Sequence, residues 1–181
     1  GFVSRMTRGR PWVRMKVAAS LDGRTGLPSG VSQWITGEAA RADGHAWRAR
    51  ASAILTGIGT VREDDPRMTV RAVDTPRQPQ RVLIDSQLEV SPHAQILAGA
   101  PTLIFCGNLD ERHRERAQAL RERGAEIVQM ANAAGKVDLP GMLKVLGERQ
   151  VNELHVEAGY KLNGSLLREG CVDELLVYLA P

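Results

Sequence analysis

The sequence predicts an α/β domain built on an open, largely parallel sheet with helices on both faces. The short apolar runs at 81–85 (RVLID) and 102–106 (TLIFC) are typical of strands that are covered on two sides. Stretches with helical spacing alternate with such runs, and this alternation favours parallel pairing. Ligands of open parallel sheets bind beyond the carboxyl ends of the strands, so the loops after the strands are the first place to look for a site.

The first part of the chain supplies two further strands and one helix. Residues 12–19 alternate and then run apolar, which predicts a strand entering the core, and 53–56 form a second strand before a glycine turn. Between them, 37–51 has the spacing of an amphipathic helix. Thr36 fits its N-cap position because a threonine hydroxyl can accept from the first-turn amides.

The second part of the chain continues the alternation, and its length suits one core, so a single domain is expected. Helices are predicted over 109–123, 142–150 and 160–168, and strands over 126–130, 153–156 and 174–179. The stretches 71–80 and 132–140 are rich in polar or small residues and are predicted to be surface loops.

Composition favours a small anionic ligand over other partners. Of the 181 residues, 43% are hydrophobic and 25% are charged, and the net charge of +3 is spread along the chain rather than gathered in a stripe. Nucleic acid is therefore not expected, whereas a few arginines would suit phosphate or carboxylate. No apolar run reaches the length of about 18 residues that a membrane span needs, so a cytoplasmic location is expected.

The cysteines and histidines argue against a metal site. Cys106 and Cys171 are the only cysteines, and their apolar contexts predict buried thiols rather than a disulfide framework or a zinc site. The four histidines show no paired metal-ligand spacing. His155 is predicted to be a core or strand residue.

Three loops that follow predicted strands, at 20–34, 57–71 and 157–165, are expected to share one rim of the sheet. GIGT at 57–60 and EAGYKLNGS at 157–165 place glycines and hydroxyls at helix starts, where exposed amides and the helix dipole favour phosphate oxygens. GIGT does not match the full dinucleotide fingerprint. Tight-turn duty stays an open alternative for both glycine clusters.

Individual residues at these loops have functional and structural interpretations. Lys16 lies inside an apolar strand, where an ammonium needs either a ligand or a salt bridge. Arg48 and Arg71 could neutralise a phosphate, although arginines on a helix surface are more often solvated. Asp22 stands in an Asp-Gly turn and is more often a turn former than a catalyst. Glu157 could bind a ligand or cap a helix terminus.

The aromatic and acidic residues of these loops are equally ambiguous. Trp34 could cover a flat ring or pack in the core, and Ser32 has the same ambiguity. The adjacent pair Asp64 and Asp65 is better explained as helix-end capping than as an acid–base pair, because neighbouring side chains diverge.

Five segments occur in order along the chain: MKVAASLDGRT, SGVSQWITG, ARASAILTGIGTVREDDPRMTVR, RVLIDS and HVEAGYKLNGSLLREGCVDELLVY. Together they resemble the reductase domain of bifunctional riboflavin-biosynthesis deaminase/reductases, and the resemblance covers nearly the whole chain. It implies a dihydrofolate-reductase-like three-layer fold, NADPH as cofactor, 5-amino-6-(5-phosphoribosylamino)uracil as substrate, and a homodimer.

The resemblance also implies which residues contact the ligands. Cofactor contacts are expected at Ala18, Trp34, Thr60, Asp64 and Ser86, and along the loop of Gly159, Tyr160, Lys161, Leu162, Asn163, Gly164 and Ser165. Substrate contacts are expected at Lys16, Ser32, Arg48, Met68, Arg71 and Glu157. Lys16 and Glu157 are the expected catalytic residues, with Asp22 as a weaker acid–base candidate. Ala158 stands where many family members carry the first of two glycines.

Residues 1–11 resemble the family's interdomain linker, and 12–181 resemble the reductase domain. The zinc motif of the family's deaminase half does not occur, so a deaminase domain is expected only as a fused part of the intact protein. The family continues with further strands after 178–181, which predicts a sheet that lacks its C-terminal strands. Two alternatives stay open: an NADPH-binding fragment without turnover, and a reductase of a pterin such as dihydrofolate.

Overall fold

A computed structural model of the chain describes residues 1–26 and 35–180. Within these ranges seven strands form one sheet in the order β5-β4-β3-β2-β6-β1-β7. The strands are β1 (Trp12–Ser20), β2 (Ala53–Gly57), β3 (Gln80–Ile84), β4 (Thr102–Cys106), β5 (Glu126–Gln129), β6 (Glu153–Val156) and β7 (Glu174–Ala180). Every neighbouring pair is parallel. The predicted parallel α/β sheet is confirmed.

One helix precedes β1, and others connect most of the successive strands. They are α1 (Phe2–Arg8), α2 (Glu38–Arg50), α3 (Ile58–Asp64), α4 (Arg114–Glu122), α5 (Leu139–Glu148) and α6 (Tyr160–Arg168), with short 3₁₀ turns at Gln95–Leu97 and Glu111–His113. No described helix has the length and apolar character that a membrane crossing requires.

Three predicted helix boundaries were wrong. The N-cap of α2 is Gly37 rather than Thr36. The predicted helix at 109–123 starts later, because the Asp110 side chain accepts from the Arg112 amide and opens a 3₁₀ turn before α4. Helix α5 begins inside the predicted loop 132–140, because the Asp138 side chain accepts from the Gly141 amide and Pro140 suits the first turn.

The sheet is covered on both faces, which gives three layers. On one face, Leu143 and Leu146 of α5 and Leu166 of α6 pack in the same cluster as Val13. On the other face, Leu120 of α4 belongs to a second cluster with strand residues of β2, β3 and β4. Each fully buried leucine stabilises the fold by about 1.5–3 kcal/mol. Cys106 and Cys171 are free and buried, as predicted.

Helix α2 sits on the sheet through polar contacts, since Gly44 is its one fully buried residue. The ring of Trp47 lies 4.1 Å from the guanidinium carbon of Arg14 on β1. The hydroxyl of Tyr178 on β7 donates to Asp43 at 2.5 Å. These contacts hold α2 against β1 and β7, at one side of the sheet.

Residues 1–11, the predicted linker, contain helix α1. Arg8 and Arg10 both donate to Asp173, which directly precedes β7. Gly9 ends the helix with a φ of 66°, a left-handed conformation that favours glycine. The helix is therefore tied to the rest of the fold, and its role between domains stays a prediction.

Candidate active site

The carboxyl ends of β2, β6 and β1 lie side by side, because β6 pairs with both of its neighbours in parallel. Loops 57–71 and 157–165 and the described part of loop 20–34 therefore start from one rim, as predicted. Ser32 and Trp34 lie outside the described residues, and their expected contacts stay predictions.

Arg48 and Glu157, both expected to contact substrate, form a two-point ion pair. Nε and Nη2 of Arg48 donate to Oε1 and Oε2 of Glu157 at 2.5 and 2.8 Å. Both side chains are only 16% exposed. A third group of Arg48, Nη1, donates to the carbonyl oxygen of Thr69 at 3.0 Å. A surface position on a helix predicts a solvated guanidinium, but that of Arg48 is fixed between α2, the end of β6 and loop 57–71.

This pairing decides the charge of Glu157. Burial by itself raises the pKa of the Glu157 carboxyl, but the hydrogen bonds and charge of Arg48, with His155 nearby, outweigh it and hold that pKa far below its usual range. Burial lowers the pKa of Arg48, whereas Glu157 raises it, and the net shift is upward. Glu157 is therefore an ionised acceptor at neutral pH.

Further cations surround the pair. The backbone amide of Arg71 donates to Nδ1 of His45 at 3.2 Å. The side chain of Arg71 donates through Nη1 to Oγ1 of Thr69, also at 3.2 Å. Burial, Arg48 and Arg67 together lower the pKa of the Arg71 guanidinium. Burial and the two arginines, Arg48 and Arg71, also lower the pKa of His45. Repulsion between the Arg48 and Arg71 guanidiniums marks a place where an anion is favourable.

A second pair of loops meets at the starts of α3 and α6. Gly57 and Gly159 occupy their N-caps, and neither helix has a side-chain cap. A Cβ atom on Gly57 would lie 3.0 Å from Cδ2 of Leu162, and one on Gly159 would lie 3.9 Å from Oγ1 of Thr60. Helix α6 follows the carboxyl end of β6 and has no side-chain cap at its start, which fits the pyrophosphate of a dinucleotide.

The remaining residues of the expected cofactor set extend along the same rim. Asn163 donates to the carbonyl oxygen of Ala158 at 2.9 Å, and its own Oδ1 is buried with no hydrogen-bond partner in the described chain. Ala18 lies on β1, and Ser86 directly follows β3. Three strand spacings of about 4.8 Å separate β1 from β3, or about 14 Å in all. Asp64 is exposed in the last turn of α3.

The partner of Lys16 in the structure is an aromatic ring, whereas the sequence predicted a salt bridge or a ligand. Its Nζ lies 5.7 Å from the centre of the Tyr178 ring. Tyr178 is in turn held by Asp43, and burial together with that carboxylate raises the pKa of the Tyr178 hydroxyl. Lys16 is half-buried and makes no ion pair with a carboxylate among the described residues, so its Nζ can contact a ligand.

Asp22 and Met68 fit their expected roles less well. Asp22 is exposed and accepts from the hydroxyl of Ser20 and from Arg24, which lower its pKa. A carboxyl held in its ionised form is a poor proton donor, and the turn-forming interpretation accounts for these contacts. Met68 has a left-handed φ of 52°, and its side chain packs in the core, which leaves its backbone for a ligand.

Sequence reasoning missed three participants: His45, Tyr178 and the position of His155. His155 is buried, as predicted, but its Nε2 also lies 3.3 Å from Oε1 of Glu157. The sequence signal that could have revealed both histidines was spacing. Residues two apart on a strand, such as His155 and Glu157, share a face, and residues three apart on a helix, such as His45 and Arg48, are neighbours. No group of acidic, cysteine and histidine side chains that could hold a metal occurs in the described part of the chain.

Comparison with known proteins gives concordant matches. The family described as the RibD C-terminal domain matches residues 11–181. The chain is 40% identical over 193 residues to the riboflavin biosynthesis protein RibD of Escherichia coli (strain K12), covering 100% of this chain and 51% of that protein. It therefore spans about half the length of the curated relatives it matches.

Solved structures agree. Acinetobacter baumannii RibD, form 2, is similar with a TM-score of 0.81 and 35% identity, over 100% of this chain and 49% of that one. A Thermotoga maritima structure titled as a diaminohydroxyphosphoribosylaminopyrimidine deaminase and 5-amino-6-(5-phosphoribosylamino)uracil reductase is similar with a TM-score of 0.79 and 26% identity, over 98% of this chain and 47% of that one.

Proposed function

The chain belongs to the RibD C-terminal domain family, and we propose that it is an NADPH-dependent reductase of riboflavin biosynthesis. The reaction converts 5-amino-6-(5-phosphoribosylamino)uracil into 5-amino-6-(5-phosphoribitylamino)uracil. The observation that carries the proposal is the buried Arg48–Glu157 pair beside Arg71, on the same rim as the uncapped start of α6. That rim offers one place for a phosphorylated substrate and another for a dinucleotide, side by side.

Substrate phosphate is assigned to the cationic side of the site. Arg71 makes the first contact, because most donors of Arg48 already serve Glu157 and Thr69. Arg48 contributes its charge and its remaining N–H groups. Ser32 is proposed to assist them, although it lies outside the described residues.

The ribose and pyrimidine are assigned to Lys16, Glu157 and the backbone of Met68. Ionised Glu157 accepts hydrogen bonds from a ribose hydroxyl or a pyrimidine N–H. Opening of the ribosylamine ring leaves an imine or its equivalent at C1′, and the ring oxygen takes up a proton as it leaves. Lys16, held over Tyr178, stabilises charge and assists this proton movement.

The residues of the rim fit NADPH. The amides at the start of α6 would hold its pyrophosphate, with Thr60 alongside. The other expected cofactor contacts, at Ala18, Trp34, Asp64 and Ser86, stay predictions. Bound NADPH supplies the hydride that is added at C1′. The protein's task is to hold the two reacting carbons in contact and to keep water away from them.

The direct test mixes the protein, NADPH and the phosphoribosylamino substrate and follows the absorbance of the reduced nicotinamide. We expect oxidation of NADPH together with a product heavier by one hydrogen molecule. NADPH binding without oxidation would favour the non-catalytic fragment, and turnover of dihydrofolate without a phosphate requirement would favour the pterin reductase.

We also propose that the intact protein carries a fused deaminase domain, forms a homodimer and is cytoplasmic. Support for the fused domain comes from the relatives, which are about twice as long as this chain, and from the Thermotoga maritima title, which names both activities. Mass spectrometry of the intact gene product tests the fused domain. Sedimentation of the same product tests the dimer.

A further inference from the structure

His155 is a buried polar residue that the proposed reaction does not yet use. It lies on β6 in register with Arg14 of β1 and Ile54 of β2, and its side chain is 0% exposed. Neither ring nitrogen has a hydrogen-bond partner among the described residues. Buried polar groups are rarely left unpaired, so this imidazole calls for an explanation.

The imidazole lies beside the carboxylate of Glu157. Nε2 of His155 lies 3.3 Å from Oε1 of Glu157, close enough for attraction but outside hydrogen-bond alignment. Both carboxylate oxygens are at present used by Arg48. Arg14, the charged neighbour of His155 on β1, is already paired with Glu153 and Glu174.

Under the proposed function, Arg48 must serve two anions. A guanidinium has five N–H groups, and Nε, Nη1 and Nη2 of Arg48 each already donate one bond. A substrate phosphate beside Arg71 would attract the same guanidinium and loosen its hold on Oε1 of Glu157. The group then left within reach of Oε1 is the imidazole of His155.

We propose that His155 is a positioning residue for Glu157: with its proton on Nε2, it donates to Oε1 and keeps the carboxylate aimed at the substrate while the phosphate draws Arg48 away. The inference rests on the proposed function, because it needs a phosphate that competes for Arg48. It assigns His155 no direct contact with the substrate.

The groups that face this pair come from every element around it. They are Arg48 and His45 from α2, Arg71 from loop 57–71, Arg14 and Lys16 from β1, Glu153 from β6 itself and Tyr178 from β7. Burial raises the pKa of Glu157, and Arg48 and then His155 oppose it. If Arg48 shifts towards phosphate, the contribution of His155 becomes the larger one.

The first test uses inorganic phosphate in place of the substrate, so that an anion competes for Arg48, and compares His155→Gln with His155→Leu. Both variants remove the imidazole, but only the glutamine amide can donate to Oε1. Because the folded-state pKa of Glu157 is lowered, its stabilisation is present above its unfolded pKa of about 4.3 and is lost as pH falls. The free energy of unfolding should therefore fall more steeply with acid in the Gln variant than in the Leu variant.

The second test follows the pH profile of kcat, which reports the enzyme–substrate complex. In His155→Leu the acid limb should move up by about one pH unit, the effect of one charge-assisted hydrogen bond. In His155→Gln it should stay near that of the unchanged protein. Ile54→Val, a buried change in register with His155, is the control for general disturbance of the strand and should leave the limb in place.

If the Leu and Gln variants give the same acid dependence of unfolding and the same pH profile of kcat, the proposal is overturned and His155 is a packing residue. If the Leu variant does not fold, His155→Asn replaces it, because its amide is one methylene too short to reach Oε1. If the unchanged protein does not turn over the substrate, the proposed function fails, and the acid unfolding comparison still decides whether His155 donates to Glu157.

Discussion

Arg48 contacts more than one part of the site. It joins a helix, a strand end and a loop through three separate donors. Arg48 and Glu157 were each expected to contact substrate, but their contact with each other joins residues 109 positions apart. A sequence assigns residue types to a site, whereas such a pairing depends on how the strands are ordered.

Replacing Arg48 by Lys tests how much the two-point ion pair with Glu157 contributes to the stability of the fold. Lysine keeps the charge but cannot donate two parallel bonds to Glu157 and a third to Thr69. We expect the free energy of unfolding to fall by about 1–3 kcal/mol, measured by urea denaturation. The matched control is Arg50→Lys, whose arginine is 58% exposed and pairs with Glu153, and which should lose less than about 1 kcal/mol. Equal losses would contradict a special role for the buried pair.

Arg71 is proposed as the residue that meets the substrate phosphate first. Arg71→Ala should raise KM for the phosphorylated substrate by about tenfold or more, because a charged hydrogen bond is worth about 1.5–3 kcal/mol. An unphosphorylated analogue should be affected far less. Arg67→Ala removes the same charge from a neighbouring exposed position that pairs with Gln95, and steady-state kinetics of both variants separates contact from general charge. A similar KM change in both would contradict the assignment.

At the scale of elements, the strands were more predictable than the helix starts. Residues 102–106 and 153–156 match β4 and β6 because buried strands leave short apolar runs between turns. The start of α5 was missed because it depends on a single bond from the Gly141 amide to Asp138. The start of α6 was predicted correctly at Tyr160, since the preceding glycine and the following amphipathic spacing agree.

The start of α6 also allows a prediction in which stability and affinity change in opposite directions. Gly159 has an N-cap conformation, with φ of −75° and ψ of 168°, that aspartate also adopts. Gly159→Asp should stabilise the fold by about 0.3–1 kcal/mol, because a carboxylate is favourable at a helix N-terminus. The same charge should repel a pyrophosphate and weaken NADPH binding by about tenfold or more, a loss of about 1.4 kcal/mol.

Gly159→Asn is the matched control, since it caps the helix without a charge. Thermal unfolding and NADPH titration of both variants give the two quantities. If Asp and Asn weaken NADPH equally, bulk rather than charge is responsible. If neither changes NADPH affinity, the cofactor does not use this helix start.

For the whole molecule, the decisive feature is the position of β6 between β2 and β1. This order brings the loop after a late strand beside loops from the first third of the chain, and so puts Glu157 next to Arg48. Strand–helix alternation predicts a parallel sheet and one ligand-bearing rim, but local patterns do not specify strand order, because non-local pairing decides it. The resemblance to a known family predicted which residues belong to the site, whereas the contacts among those residues became visible only in the fold.

The same long-range order ties both ends of the chain together at Asp173, which accepts from Arg8, Arg10 and the Val13 amide. Burial raises the pKa of this carboxyl, but Arg8, the Val13 amide and Arg10 outweigh it and lower the pKa. Its stabilisation is therefore present above the unfolded pKa of about 3.9 and is lost as pH falls through the lower folded value.

Asp173→Asn should lower the free energy of unfolding near neutral pH by about 1–3 kcal/mol, the cost of weakening charged hydrogen bonds in a partly buried cluster. The free energy of unfolding should also decline less steeply below about pH 4, since one carboxylate with a lowered pKa no longer titrates. Urea denaturation across pH measures both effects. Glu126→Gln, which removes a more exposed carboxylate paired with Arg149, should change both much less. If the Asp173 variant kept the full acid slope, other carboxylates such as Glu157 would have to account for the acid sensitivity of the fold.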